Sequence, residues 1–102
     1  MYYKVEAVFY PHLLQEFYKK LSDGTIKNQK PDGEEIIASL KKAVLKDKFT
    51  IEFYEKCFCA IPLKHERETV YDKYMSSIKI IPIDEQAKPL EGKSFWKYME
   101  AL

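Results

Sequence analysis

Phe49-Thr50-Ile51-Glu52-Phe53-Tyr54-Glu55-Lys56-Cys57-Phe58-Cys59-Ala60-Ile61 is the stretch on which the fold turns. Phe49, Ile51 and Phe53 alternate with Thr50, Glu52 and Tyr54, the period-two pattern of a half-buried strand over 49–54. Residues 57–61 continue it, with Cys57, Cys59 and Ile61 on one face and Phe58 and Ala60 on the other. The reading favours a hairpin within 49–61 over one long strand. The favour comes from topology, because Glu55-Lys56 lacks the Gly or Asn that two-residue turns prefer.

On the N-terminal side, residues 2–10 read as a strand, Tyr3, Val5, Ala7 and Phe9 on one face against Tyr2, Lys4, Glu6, Val8 and Tyr10. Pro11 suits a first helical turn, Leu14, Phe17 and Leu21 form a stripe, and Gly24 suits a left-handed stop. A turn-rich loop, 22–31, leads to a second helix. Asp32 is its expected cap with Glu35 at capping-box spacing, and Ile36, Ile37, Leu40, Ala43 and Val44 are its apolar side.

Beyond the central stretch, 63–75 reads as a helix striped by Leu63, Val70, Tyr71 and Tyr74. Residues 77–83 read as a strand that Pro82 restricts to an edge or an end. Ser94 caps a short terminal helix carrying Phe95, Trp96 and Met99. The order β-α-α-β-β-α-β-α predicts a single α+β domain over 1–102. It resembles the ferredoxin-like βαββαβ arrangement with a split first crossover (two helices) and an added C-terminal helix. Such a sheet keeps one face away from its helices, and a dimeric α+β barrel is one assembly that would cover it. The terminal helix folding back over that face is the other way to cover it.

Composition limits the function classes. The 102 residues include eight Tyr and six Phe, enough aromatic volume for a core in a short chain. Seventeen Lys and Arg against sixteen Asp and Glu give a net charge of +1, no field to draw a phosphate backbone. The RNA-binding strand signature of some domains with this fold is missing: Glu55-Lys56-Cys57-Phe58-Cys59-Ala60-Ile61-Pro62 has no glycine and no spaced aromatics. Nucleic acid is therefore not an expected partner. No apolar run approaches the ~20 residues of a membrane span, and no basic leader opens the chain. Two cysteines one residue apart are not a disulfide framework, so a cytoplasmic setting is expected.

Two places invite chemistry. Cys57 and Cys59 share a strand face, and His65, Glu66 and Arg67 follow closely. A thiol enzyme or redox protein would use Cys57 or Cys59 as nucleophile, His65 as base and Glu66 to orient it. The ordinary reading gives the cysteines a packing role and Glu66 a place in a helix's first turn. C-x-C-x5-H, with His12 as fourth ligand, departs from the usual zinc spacings, so neither metal nor cofactor is expected. The second place is the 22–31 loop, where Asn28, Gln29 and Lys30 precede a helix N-terminus. With Arg67 and Tyr54 these form the candidate contacts for a small anionic ligand. The leading expectation is thus a small binding or interaction protein, a homodimer, using the open sheet face and this loop. The cofactor-independent thiol enzyme is the alternative.

Overall fold

The computed structural model describes residues 1–57, 60–84 and 88–102. These residues form a small α+β domain of four helices and five strands, β1 (Tyr2–Phe9), β2 (Val44–Leu45), β3 (Thr50–Lys56), β4 (Met75–Ile83) and β5 (Lys93–Ser94), in one antiparallel sheet of order β4-β1-β3-β2-β5. The two central strands are β1 (Tyr2–Phe9) and β3 (Thr50–Lys56). Their alternation is that of the sequence. Tyr3, Val5, Ala7 and Phe9 pack inward beside Ile51, Phe53 and Glu55, in register Tyr3 to Glu55, Val5 to Phe53 and Ala7 to Ile51. Edge strand β4 (Met75–Ile83) pairs with the other side of β1. Its register shifts between Glu6 and Val8, where Ser77 takes a positive φ of 51°. Pro82 lies on this edge, where a missing N–H is tolerated.

The hairpin differs from the expected one. β3 folds back on β2 (Val44–Leu45), and Cys57, Ala60 and Ile61 lie outside any strand, while Phe58 and Cys59 lie outside the described residues. The turn is made by Asp47, whose carboxylate accepts the N–H of Phe49 (3.0 Å) and of Thr50 (2.9 Å). Correspondingly the second helix, α2 (Gly33–Lys41), stops before Ala43 and Val44. Those residues share the helical stripe by spacing, but β2 is claimed by β3 on one side and by β5 (Lys93–Ser94) on the other.

α1 (Leu14–Ser22) follows a 3-10 turn opened by Pro11 and buries Leu14, Phe17 and Leu21. Gly24, at φ +92°, redirects the chain after it. The loop then anchors itself through buried Ile26. α2 begins so close beneath it that a Cβ on Gly33 would stand 2.2 Å from the Ile26 carbonyl oxygen. A helix over 64–74, α3, has a π-helical centre (Arg67–Tyr71) and follows Leu63 in a left-handed conformation (φ 56°). Its stripe is the expected one: Leu63, Val70, Tyr71 and Tyr74 are all buried, and Tyr74 stacks on Phe17 at 4.4 Å.

The last helix, α4 (Phe95–Glu100), is capped by the Ser94 hydroxyl, which accepts the Lys97 N–H at 3.2 Å. Phe95 packs 5.3 Å from Phe9 on the core side, and Trp96 meets Tyr18 of α1 edge-on. α4 therefore joins α1 and α2 on the helical layer instead of folding over the opposite face. That face carries a checkerboard of Lys4 paired to Glu52 and Lys46 paired to Glu6, both at 2.8 Å, with Val8 and Ile81, the latter 51% exposed. Among the described residues no helix is long and apolar enough to cross a membrane.

Candidate functional site

The alternation of β3 that buries Ile51 and Phe53 carries an acid inward two residues later. Glu55 is 1% exposed. Burial pushes its carboxyl up to about 8; the Tyr71 and Ser39 hydroxyls oppose that shift, and the charges of Glu66 and Glu35 add to it. The Tyr71 hydroxyl donates to Glu55 Oε1 at 2.6 Å, while Oε2 has no hydrogen-bond partner among the described residues. Burial in turn raises the Tyr71 phenol well above its ordinary range, and Glu55, Glu66 and Asp32 reinforce it. At neutral pH this pair is a carboxylic acid and a phenol, both uncharged.

At the start of α2 and α3 lies a second group. Asp32 occupies the N-cap position of α2, yet its side chain makes no cap hydrogen bond. The carboxylate turns instead to Nδ1 of half-buried His65, in the first turn of α3. Glu66, the next residue, is 0% exposed. Ligand atoms of Asp32, His65 and Glu66 all fall within 4.8 Å of one another. The turn that delivers His65 and Glu66 is set by Leu63, whose left-handed backbone costs roughly 1–2 kcal/mol. The π-helical stretch begins directly after it, and such stretches recur at functional sites.

On the outer side of Glu55 a cleft of about 610 Å³ opens between α2, the end of the open sheet face and the loop after β4. Tyr2 and Tyr54 wall it from the sheet, Ser39 from α2, Lys42 from the C-cap of α2, and Lys56 from the end of β3. The Tyr54 hydroxyl donates to the Lys88 carbonyl at 2.6 Å and so ties down the loop that carries Pro89 and Leu90 into the wall. The Lys56 ammonium stands 5.8 Å from the Tyr2 ring centroid. Ser39 belongs to both parts: it lines the cleft, and its hydroxyl acts on Glu55.

No family model, no curated protein and no solved structure matches this chain.

Of the residues singled out by sequence, Tyr54 lines the cleft, and His65 and Glu66 come together with Asp32. Cys57 is 4% exposed, with its N–H donating to the Met1 carbonyl at 2.9 Å; Cys59 lies outside the described residues. Arg67 turns away to Asp72, its Nε donating to Oδ1 at 2.9 Å. Asn28 and Lys30 are exposed on the loop, and the Gln29 carbonyl accepts the Gly33 N–H at 2.9 Å. None of these three lines the cleft. A second groove touches the loop at Gly24 and Lys27 and is lined also by Trp96.

Glu55, Ser39, Lys42, Tyr2 and the Tyr71 hydroxyl were not singled out. For Glu55 the signal was present: carrying the period of two from Phe53 to Cys57 puts position 55 on the buried face. Lys42 and Ser39 carry no such mark, because an exposed lysine and a helical serine are ordinary.

Proposed function

We propose that this is a small-ligand binding protein whose cleft takes a compact, ring-bearing molecule with a carboxylate or phosphate group. The carrying observation is the cleft itself, with two aromatic walls and two ammonium groups at one end of the open sheet face. Its volume lies in the range of small-molecule sites, ~300–1,000 Å³, which pair apolar walls with a few placed polar groups. Tyr2 and Tyr54 offer flat apolar surface, Lys42 and Lys56 attract an anion, and Ser39 offers a hydroxyl. Two acids, Glu35 and Asp84, also line the cleft and set the selectivity by repelling a second negative group.

The same reading makes the fold ferredoxin-like and the protein a cytoplasmic homodimer. The order β4-β1-β3-β2, with antiparallel neighbours throughout, supports the fold. The dimer would form through the open face, whose Lys4–Glu52 and Lys46–Glu6 pairs offer both signs of charge to a two-fold copy. A second copy there would build the dimeric barrel and roof the cleft. The thiol-enzyme alternative draws less support, since Cys57 is buried and His65 is engaged by Asp32.

A thermal-shift screen of aromatic and heterocyclic carboxylates and phosphates tests the binding reading. At least one compound should raise Tm in the native protein and not in the Lys42→Ala/Lys56→Ala double variant. Equal shifts in both proteins, or none in either, would refute it. Light scattering at micromolar concentration should give twice the chain mass, and a single-chain mass would remove the dimer.

A further inference from the structure

We infer that Asp32, His65 and Glu66 form a binding site for one divalent transition-metal cation, zinc foremost, at the junction of α2 and α3. The site lies apart from the ligand cleft and does not depend on how the cleft is read. It also differs from the cysteine–histidine arrangement considered from sequence, since its donors are two carboxylates and an imidazole without sulfur.

The geometry comes first. Zinc is held by oxygen and nitrogen at roughly 2.0–2.2 Å, so the ligands of a tetrahedral site stand about 3.4 Å apart. The three donor atoms here already lie within 4.8 Å of one another. Side-chain rotation on binding would have to close the remaining gap. Asp32 and His65 are in direct contact through a carboxylate oxygen and Nδ1, and the ion would take the place of the proton between them. Three protein ligands leave a fourth position for water on the side where His65 meets solvent, which is also the ion's way in.

The second observation lies just inside the first. Glu55 is 1% exposed, it feels the charge of Glu66, and its Oε2 lacks a hydrogen-bond partner among the described residues. The charged neighbours that weigh most on Glu55 and Tyr71 are acids throughout: Glu66, Glu35 and Asp32. Glu66 and Asp32 thus bring negative charge towards a buried phenol and a buried carboxyl. A dication bound by Asp32 and Glu66 cancels it.

The placement of Asp32 agrees. An N-cap aspartate ordinarily accepts amide hydrogens of its own helix, a bond typically worth ~1 kcal/mol. Asp32 forgoes that bond and faces α3. With hard and borderline donors and no thiolate, the set suits Zn2+, Co2+ or Mn2+ ahead of Cu+.

The test uses the full chain, stripped with chelator and titrated calorimetrically with Zn2+ alone in a non-coordinating buffer. One equivalent should bind, and Co2+ should give visible d–d absorption without thiolate charge-transfer bands. His65→Ala, at a half-exposed position, and Asp32→Asn should each weaken binding more than about 100-fold. A Cys57→Ser/Cys59→Ser variant should bind as the native chain does. Absence of binding overturns the inference, as do unchanged binding in His65→Ala and loss confined to the cysteine variant. Circular dichroism of each variant separates loss of ligand from loss of fold.

Discussion

Glu55→Gln is the substitution that most sharply tests the reading of the interior. Glu55 has an ordinary value of 4.5 and is pushed up to about 8 in the fold. The native state therefore holds its proton more tightly than the unfolded chain does. This contribution to stability is fully present below pH 4.5 and is lost as pH rises through 8. Between the two values each pH unit costs about 1.4 kcal/mol. From pH 5.5 to 8 the native protein should lose about 3 kcal/mol through this one group.

Glutamine keeps the shape and an acceptor for the Tyr71 hydroxyl, but it has no proton to lose. Urea unfolding at pH 5.5 and pH 8 separates the two proteins. With a slope near 1–1.5 kcal/mol per molar urea, the native midpoint should fall by about 2 M more than that of the variant. The two proteins should be nearly equal at pH 5.5, and the variant should be the more stable at pH 8. Parallel profiles across this range would refute the assignment of Glu55 as a buried, neutral acid.

Two further outcomes follow from the same packing. Tyr71→Phe removes the hydroxyl that donates to Glu55 at 2.6 Å and should cost about 1–3 kcal/mol in denaturant unfolding. Because that hydroxyl favours the ionised carboxyl, the pH at which stability falls should also move upward. Gly33→Ala drives a Cβ to 2.2 Å from the Ile26 carbonyl oxygen, and a chemical denaturation curve should show a loss of about 2–4 kcal/mol. An unchanged midpoint would mean that the loop does not sit on α2.

Much of the architecture was legible because both central strands bury only one face. Alternation in 2–10 and 49–54 names their inward residues except Phe49, which stands in the Asp47 turn and is 44% exposed, and the stripes Leu14-Phe17-Leu21 and Leu63-Val70-Tyr71-Tyr74 do the same for two helices. The hairpin was misplaced because Ala43 and Val44 fit the spacing of α2, and because the turn at Asp47 uses a side chain in place of glycine. The site was half legible. His65 and Glu66 stood out by residue type. Asp32 reads locally as a cap and shows its role only when α3 arrives beside it. Arg67 stood out as a candidate anion contact, but it opens the π-helical stretch and reaches Asp72 at the surface. The cleft joins residues as distant as Tyr2 and Leu90, a proximity that no local pattern encodes.

The cleft is the centre of the functional account, and amide chemical-shift mapping reaches it most directly. With a compound that raises Tm, perturbations should concentrate on Tyr2, Ser39, Lys42, Tyr54 and Lys56. Shifts that instead gather at Gly24, Lys27 and Trp96, or spread without a focus, would contradict it.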